Sequence, residues 1–367
     1  MEQIKVGVIG CGNISDAYFK AAKTFKMMHY AYCADLNPDA AAAKAETYGC
    51  QAVSIDALLA NREVEVILNL TTPQAHTAVD MMALQAGKHV YAEKPLAVDL
   101  EDGRRVIELA RQQGLRVGSA PDTFLGGGLQ TCRKLIDDGW IGTPLSGTAF
   151  MMCPGHESWH PNPGFYYLKG GGPLFDMGPY YLTALVHLLG PAVKVSAMAG
   201  KGFPSRTCTS ENRFGDALPV EVNTHIAGTL QFASGAIITL VMSFDVIKQS
   251  CPCLEIHGTA GSLSCPDPNT FGGPVKYASF AERACGWQDV PIPFGYTENS
   301  RSIGLADMVE AITAGRPHRA SGEMAFHVLE IMCALEKSAV TGQTIGLESS
   351  CGRPAPLTPG LLKGKLS

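Results

Sequence analysis

Apolar runs alternate with amphipathic stretches through the first third of the chain. Residues 4–9 form a mostly apolar run, which is typical of a strand that is buried on both faces. The pattern predicts further strands over 30–35, 51–53, 64–70, 88–92 and 115–119, and helices up to about residue 27 and over 38–48, 74–86 and 99–113. Six strands with intervening helices predict an α/β fold with a doubly wound parallel sheet. Ligands of such sheets bind beyond the carboxyl ends of the strands.

The second part of the chain changes to strands that are separated by turns. A helix over 126–139, a strand over 144–152 and an apolar helix over 173–189 precede this region, which runs from about 192 to 293. Hairpins are predicted at Ser234-Gly235 and at 258–261, and closing helices over 303–314 and 323–340. We therefore expect a first domain over 1–122, a second over 123–345, and a tail over 346–367 that lies on the surface.

Composition and charge narrow the class of protein. Apolar residues make up 46% and charged residues 17%, which is a globular composition. The net charge of −5, without any basic run, disfavours nucleic acids and anionic membranes as partners and leaves a small molecule as the expected ligand. No secretory signal and no membrane-spanning apolar stretch is visible, so we expect a cytoplasmic protein whose 12 cysteines are reduced. Cys251-Pro-Cys253 lacks a second cysteine pair, and no metal site is predicted.

Glycine is the outlier in composition, with 40 of 367 residues, about 11% against a usual ~7%. The turn after the first predicted strand reads Gly10-Cys11-Gly12-Asn13-Ile14-Ser15. Its two glycines match the first two positions of the dinucleotide-binding motif, and Ser15 takes the third. The motif needs a tight first turn, close approach to a pyrophosphate and a helix N-terminus that offers N–H groups. The predicted cofactor contacts from this turn are Gly10, Gly12, Asn13 and Ile14.

Asp35 ends the second predicted strand, 20 residues after Ser15. A carboxylate at this place accepts hydrogen bonds from the hydroxyls of an adenosine ribose. It also repels a 2′-phosphate, and the following Leu36-Asn37-Pro38 brings no Arg or Lys. The sequence therefore favours NAD over NADP. The alternative is a structural glycine turn with a surface Asp.

Two further loops follow predicted parallel strands. Thr71-Thr72-Pro73-Gln74-Ala75-His76 follows the fourth strand, and Glu93-Lys94-Pro95 follows the fifth. Both loops are expected at the cofactor, where Lys94 faces the crevice. The alternative for Lys94 is a solvated loop residue. His76 is expected to open a helix near the cofactor and not to act as a base. The predicted cofactor contacts from the two loops are Thr71, Thr72, Pro73, His76, Glu93 and Lys94.

The second domain adds a glycine run, an acid and a tyrosine to the motifs of the first domain. The set comprises the glycine turn, Asp35, Thr72-Pro73 with His76, Glu93-Lys94-Pro95, and Gly170-Gly171-Gly172 with Asp176 and Tyr180. Over nearly the whole chain it resembles the Gfo/Idh/MocA oxidoreductase family, the relatives of glucose–fructose oxidoreductase and inositol dehydrogenase. The resemblance implies an N-terminal Rossmann domain. It also implies a C-terminal α/β domain whose large, mostly antiparallel sheet is a platform and often an oligomer interface.

The predicted catalytic group is Lys94, Asp176 and Tyr180. Asp176 and Tyr180 are spaced i and i+4, so on a helix they project to the same side, and Pro179 belongs in the first turn of that helix or kinks it. A phenol with a pKa of about 10 is a weak base at neutral pH, and we expect the Lys94 ammonium to lower that pKa. Asp176 is expected to hold a substrate hydroxyl or to orient Lys94. The alternative is an N-cap Asp with a core tyrosine.

The resemblance adds roles to these three residues. It implies that Lys94 is the catalytic lysine and that Asp176 orients the substrate. Tyr180 stands where the family most often has a histidine that acts as acid and base, although tyrosine occurs in some branches. Because of this departure, His156 and His160 stay open as alternative bases.

Those histidines belong to a loop that reads Gly155-His156-Glu157-Ser158-Trp159-His160-Pro161-Asn162-Pro163. Its aromatic and polar side chains predict part of a substrate pocket, in which Trp159 stacks on a sugar face and His160 binds a hydroxyl. The alternative is a packed surface loop.

The sequence thus predicts an NAD-dependent oxidoreductase that acts on a secondary hydroxyl of a sugar, cyclitol or glycoside. One alternative is an enzyme that cleaves glycosides by oxidation and elimination and recycles NAD. Another is a nucleotide-sensing regulator of the same fold without the chemistry. The long apolar strands over 227–232 and 237–241 favour a homodimer or homotetramer.

Overall fold

A computed structural model describes residues 3–367. Its N-terminal sheet has six parallel strands in the order β3-β2-β1-β4-β5-β6, which confirms the doubly wound prediction. The strands are β1 (Ile4–Ile9), β2 (Met28–Ala34), β3 (Gln51–Ala52), β4 (Val64–Asn69), β5 (His89–Ala92) and β6 (Val117–Ser119). The helices are α1 (Ser15–Ala22), α2 (Pro38–Tyr48), α3 (Ile55–Ala60), α4 (His76–Gln85) and α5 (Leu100–Gln113). The strand order reverses between β1 and β4, where such folds bind their ligands.

Two helices of this domain differ from the prediction. The pattern of apolar positions missed α3, because its six residues are too few to show a helical period. Ser54 caps this helix by accepting a hydrogen bond from Ala57 N. α1 ends at Ala22 and not near residue 27, since the following residues form a turn in which Phe25 N donates to Ala22 O.

The C-terminal sheet has nine strands, and all its neighbouring pairs are antiparallel except β7 with β12. Its order is β16-β15-β14-β13-β7-β12-β11-β8-β17. These strands are β7 (Pro144–Met152), β8 (Ala192–Gly200), β11 (His225–Phe232), β12 (Ile237–Ser243), β13 (Leu254–Gly258), β14 (Gly261–Cys265), β15 (Lys276–Ser279), β16 (Gln288–Asp289) and β17 (Ile345–Gly346). β9 (Ser205–Thr207) and β10 (Ala217–Pro219) pair separately. Both predicted hairpins are present, as β11–β12 and β13–β14.

Four helices complete the chain, namely α6 (Gly127–Asp137), α7 (Gly172–Leu189), α8 (Ile303–Ala314) and α9 (Gly322–Thr341). α7 and α9 pack on one face of the nine-stranded sheet, and α9 also contacts α5 and β6 of the first sheet. An isolated bridge between Gly118 and Ser321 joins the start of α9 to β6. One apolar core therefore continues from the first sheet into the second.

The other face of the nine-stranded sheet carries apolar side chains in register. Met198 lies beside Ala227, which pairs with Val241, and Val241 pairs with Phe150. Met198 is 82% exposed and Ile237, on the same face, is 50% exposed. None of the helices among residues 3–367 has the length and apolar character needed to cross a bilayer.

The C-terminal tail was predicted to lie on the surface, and this is wrong for two of its side chains. Leu357 and Leu366 are buried in the continuous core. Leu357 N donates to Gln130 Oε1 at 2.7 Å, and Gly364 N donates to Tyr296 Oη at 2.9 Å. The proline and glycine content of the tail did not reveal these anchors.

Candidate active site

In the glycine turn between β1 and α1, a side chain would clash with the backbone at Gly10 but not at Gly12. Gly10 has a φ of +102°, and a Cβ there would lie 2.6 Å from the carbonyl carbon of Leu70. A Cβ on Gly12 would meet no atom within 4 Å, so this backbone borders free space. Ser15 is buried and its Oγ donates to Gly12 O at 2.6 Å, which ties the turn to α1. The turn thus forms a cradle that a close ligand can approach at Gly12.

Asp35 follows β2 and is fixed beside that turn. Its Oδ2 accepts a hydrogen bond from Cys11 N at 2.7 Å, and its Oδ1 accepts one from Asn37 N at 2.8 Å. A cavity of about 690 Å³ extends from Asp35 across Leu36 and Met82. Its lining contains two aspartates and, among the described residues, neither lysine nor arginine.

His76 connects the loops that follow β4 and β5. It is fully buried, its Nδ1 lies 2.7 Å from Pro95 O and its Nε2 lies 3.0 Å from Thr71 O. Both ring nitrogens of His76 thus lie within hydrogen-bond distance of carbonyl oxygens, and its contact with the cofactor stays a prediction. Thr72 is exposed, and its neighbours Thr71 and Pro73 line a second cavity.

Glu93 holds the loop that carries Lys94. It is 7% exposed, and its Oε1 accepts a hydrogen bond from Tyr18 Oη at 2.7 Å. Its Oε2 accepts one from Lys94 N at 2.9 Å. The carboxylate therefore fixes the direction in which the lysine leaves β5.

Lys94, Asp176 and His156 form a continuous polar contact. Lys94 Nζ lies 2.7 Å from Asp176 Oδ1 and 2.7 Å from Asp176 O, and His156 Nε2 lies 3.1 Å from Asp176 Oδ2. Burial alone would raise the pKa of Asp176, but the Lys94 charge and the His156 hydrogen bond lower it to about 2. Burial works against the Lys94 ammonium, yet Asp176 and the neighbouring Tyr180 and Glu93 raise its pKa above the ordinary value. Asp176 is thus an anion and Lys94 a cation at neutral pH.

Tyr180 lies between two cations. Lys94 Nζ is 5.3 Å from the centroid of its ring, and Arg301 Nη2 is 3.5 Å from its hydroxyl. We expected Lys94 to lower the pKa of this phenol, and the net direction is the opposite. Burial raises the pKa of Tyr180 by more than Lys94 and Arg301 lower it.

α7 presents both Asp176 and Tyr180 from its interior turns. Asp176 is the fifth residue of the helix and not its N-cap, which is Gly171, so the N-cap alternative is wrong. Pro179 lies inside the helix and not in its first turn. Every residue of α7 is buried except Asp176 and Met177, which line the cavity.

A cavity of about 390 Å³ brings most of the predicted residues together. From the cofactor side it is lined by Asn13, Ile14, Thr71, Pro73, Glu93 and Lys94, and from the second domain by His156, Trp159, His160, Gly170, Gly171, Asp176 and Tyr180. Phe165, Tyr166, Phe175, Asn269 and Arg301 also contribute. This cavity therefore extends from Asn13 and Ile14 of the glycine turn to the predicted catalytic group.

Aromatic rings pack against the loop over 155–163, which carries His156 and His160, and Arg206 binds this loop through Glu157. The His156 ring lies 4.3 Å from the Tyr166 ring and 4.7 Å from the Phe244 ring, measured between centroids. Arg206 Nε lies 2.7 Å from Glu157 Oε1, and Arg206 Nη2 donates to Pro154 O at 3.0 Å. Trp159 is 60% exposed at the mouth of the cavity. His160 also lines it, and burial lowers the pKa of this histidine.

The residues in and beside this cavity that the sequence did not reveal include Phe165, Tyr166, Arg206, Asn269 and Arg301. The two aromatics directly follow the predicted pocket loop, and their density was an available signal. Arg206, Asn269 and Arg301 come from distant turns, and no local motif marks them.

Comparison with known proteins gives matches over most of the chain. Residues 4–120 match the model of an oxidoreductase family with an NAD-binding Rossmann fold, and residues 129–264 match the GFO/IDH/MocA C-terminal domain. D-glucoside 3-dehydrogenase of Escherichia coli (strain K12) is 30% identical over 362 residues, which are 94% of this chain and 97% of that protein. 1,5-Anhydro-D-fructose reductase of Ensifer adhaerens is 28% identical over 311 residues, covering 82% of this chain and 85% of that protein.

A solved structure extends the likeness to three dimensions. Levoglucosan dehydrogenase in complex with NADH has a TM-score of 0.81 to this chain at 22% identity. The match covers 95% of this chain and 100% of that one. At this identity the likeness shows a shared fold.

Proposed function

This chain belongs to the GFO/IDH/MocA oxidoreductase family, and we propose that it oxidises a secondary hydroxyl of a sugar, cyclitol or glycoside with NAD. The observation that carries this proposal is the single cavity on which Lys94, Asp176 and Tyr180 meet the loops of the nucleotide-binding domain. The names of the curated relatives, a glucoside dehydrogenase and an anhydrofructose reductase, support a sugar-like substrate.

The residues of the first sheet fit a dinucleotide. Free space at Gly12 accommodates a pyrophosphate, and Asp35 is in place for ribose hydroxyls. Bound NAD would supply the acceptor for the hydride that leaves the substrate carbon. The acidic lining near Asp35 favours NAD over NADP, and tighter binding of NADP in isothermal titration would contradict this preference.

Lys94 and Asp176 act on the substrate oxygen in this proposal. The Lys94 ammonium donates to the oxygen of the reacting carbinol, whose negative charge grows as the hydroxyl proton leaves. Asp176 keeps Lys94 charged and directed into the cavity through its carboxylate and its carbonyl oxygen. During oxidation the C–H bond releases a hydride, the O–H bond releases a proton to a base, and a ketone remains.

Tyr180 and His156 are the two candidates for that base. Tyr180 lies against Lys94 and Arg301, whose charges favour the phenolate. His156 is favoured by a different observation, its 3.1 Å contact with Asp176, which orients the imidazole toward the same cavity. His160 has no such carboxylate contact among the described residues. Tyr180 is our first assignment because it lies between both cations.

The open face of the nine-stranded sheet supports a homodimer or homotetramer. Met198 and Ile237 expose apolar surface there, in a row that continues across four strands. Light scattering coupled to size exclusion measures the assembly, and a monomer at micromolar concentration would contradict it.

The function is tested by a screen of sugars, cyclitols and glycosides for reduction of NAD. Lys94→Ala is the inactive control, and Lys134→Ala, at an exposed lysine on α6, is the matched control that keeps activity. We expect NADH formation with at least one polyol, dependent on Lys94. NADH formation that Lys94→Ala retains, or glycoside cleavage without net NADH, would overturn the simple dehydrogenase in favour of another chemistry.

A further inference from the structure

Arg301 brings a positive charge into the substrate cavity without a carboxylate partner. Its Nη2 lies 3.3 Å from Asn269 Oδ1 and 3.5 Å from Tyr180 Oη, and its Nη1 lies 3.2 Å from Asn299 Oδ1. All three partners are neutral and the distances are long for bonds to a guanidinium. Among residues 3–367, no carboxylate oxygen forms an ion pair with Arg301.

Three other arginines with little exposed side chain each have a carboxylate partner. Arg133 is bound by Asp137, Arg206 by Glu157 and Arg319 by Asp307, each through a direct ion pair. Burial of a guanidinium without a counter-ion is unfavourable, and proteins normally avoid it. Arg301 is thus set apart from these three by its place in the cavity and by its lack of an anion.

The neighbouring acids of the cavity are already engaged. Asp176 is shared by Lys94 and His156. Burial lowers the pKa of Arg301, but the charges of Tyr180 and Glu93 raise it above the ordinary value. The two oxygens of Glu93 accept from Tyr18 Oη and Lys94 N. A further anion in the cavity would therefore compete only with neutral partners for the donors of Arg301.

The backbone holds Arg301 at this place. The next residue, Ser302, has a φ of +90°, a conformation that a residue with a side chain rarely adopts. Asp122 Oδ2 accepts from Ser302 N and from Gly304 N, each at 3.1 Å, and Ser302 Oγ donates to Tyr18 O at 3.1 Å. These bonds fix the buried Ser302 and thereby the backbone position from which Arg301 extends to the cavity.

We propose that Arg301 binds a carboxylate of the substrate, so that the preferred substrate of the proposed reaction is a sugar acid. A planar guanidinium offers paired donors that match a carboxylate. The reacting hydroxyl lies at Lys94 and Tyr180 in the proposed reaction. Because Arg301 Nη2 is only 3.5 Å from Tyr180 Oη, a carboxylate bound by Arg301 lies close to that hydroxyl. This inference rests on the proposed function and adds the class of substrate to it.

The test compares uronic-acid glycosides with their methyl esters, which have the same stereochemistry and no charge. For each pair, kcat/KM with NAD is measured for the wild type, Arg301→Met, Arg301→Lys and the surface control Arg283→Met. We expect the wild type to prefer the acid. In Arg301→Met the ratio of acid to ester should fall by about 10- to 100-fold, the usual effect of losing a charge-assisted hydrogen bond. The ratio is the readout because a change around Tyr180 affects both substrates alike.

Calorimetric binding of the acid and the ester to the enzyme with NADH separates two failures. If esters or neutral sugars are oxidised and the acid is not preferred, or if Arg301→Met leaves the ratio unchanged, the inference is overturned while the proposed function stands. If nothing is oxidised, the proposed function fails. In that case, acid binding that weakens in Arg301→Met still supports the inference, and equal binding overturns it. Arg301→Lys keeps the charge and should retain part of the preference for the acid. Should Arg301→Met not fold, Arg301→Gln, which also removes the charge, takes its place, and an unchanged ratio in that variant overturns the inference.

Discussion

Lys94 Nζ lies 2.7 Å from both Asp176 Oδ1 and the carbonyl oxygen of the same residue. This pair joins the end of β5 to α7, and thus the nucleotide-binding domain to the second domain. The contact is largely shielded from solvent, since the side chains of Lys94 and Asp176 are 16% and 13% exposed. Each member therefore depends on the other for its charge.

Lys94→Ala should reduce both activity and stability. Loss of the ammonium removes a donor to the reacting oxygen, and we expect kcat to fall by about 10²- to 10³-fold. It also leaves the Asp176 carboxylate buried with only His156, which should lower the free energy of unfolding by about 3–5 kcal/mol. Steady-state kinetics and urea denaturation measure the two effects. An NADH dissociation constant that rises more than a few fold would show that Lys94 acts mainly through cofactor binding and not on the substrate oxygen.

Tyr180→Phe should remove the alkaline rise of the oxidation rate. A base must be deprotonated to accept the hydroxyl proton, so the rate of oxidation rises with pH toward the pKa of the base. Because burial raises the pKa of Tyr180, the rise should extend to alkaline pH. The measurement is kcat/KM against pH for the wild type, Tyr180→Phe and His156→Asn.

The same profiles decide between the two bases. His156→Asn keeps a donor for Asp176 and should retain the alkaline rise with a smaller loss of rate. If Tyr180→Phe keeps wild-type rates and His156→Asn loses them, the base is His156.

Gly10 and Gly12 should respond differently to alanine. Gly10→Ala places a Cβ against the Leu70 carbonyl at a positive φ, which should lower the melting temperature and weaken NADH binding together. Gly12→Ala meets no protein atom, so the melting temperature should stay within experimental error. Its methyl group should still hinder the pyrophosphate and weaken NADH binding by about tenfold or more. Unchanged NADH affinity in Gly12→Ala would place the dinucleotide elsewhere.

Asp80→Asn should stabilise the protein above neutral pH. Asp80 is fully buried on α4 and its Oδ1 accepts from Asn69 Nδ2 at 2.7 Å. Its Oδ2 has no hydrogen-bond partner among residues 3–367. Burial raises the pKa of Asp80 to about 7, above its value in the unfolded chain. Its protonated form is thus favoured by folding, and stability from this group declines as pH rises from about 4 to 7. Above pH 7 the full penalty of roughly 4 kcal/mol applies.

Denaturation at pH 5 and pH 8 measures this effect. The wild type should lose stability between these values, and Asp80→Asn should lose less. Asp56→Asn, at an exposed Asp on α3, is the matched control. Equal pH dependence in Asp80→Asn and the wild type would contradict the assignment.

The first sheet was predictable because its information is local. Continuous apolar runs indicate the strands. Two short motifs, Gly10-Cys11-Gly12 and Glu93-Lys94-Pro95, indicate where β1 and β5 end. α3 was missed because one and a half turns do not establish a helical period. The burial of Leu366 could not be read either, since it depends on partners far along the chain.

The sequence predicted that Lys94, Asp176 and Tyr180 lie together, but it did not contain the electrostatics of this group. Lys94, Asp176 and Tyr180 do line one cavity. The direction of the Tyr180 pKa depends on how deeply α7 is buried, which the i, i+4 spacing does not contain. Arg301 stands in an irregular turn before α8, and its role depends on partners that only the fold supplies.

The most direct measurement of the central claim follows a deuterium label. A substrate found in the screen is prepared with deuterium on the carbinol carbon and incubated with enzyme and NAD. Oxidation of the secondary hydroxyl predicts NADH that carries one deuterium on the nicotinamide ring, together with a ketone, and Lys94→Ala should show neither. Ketone formation with the deuterium released to water, or product that retains it on the same carbon, would contradict the account.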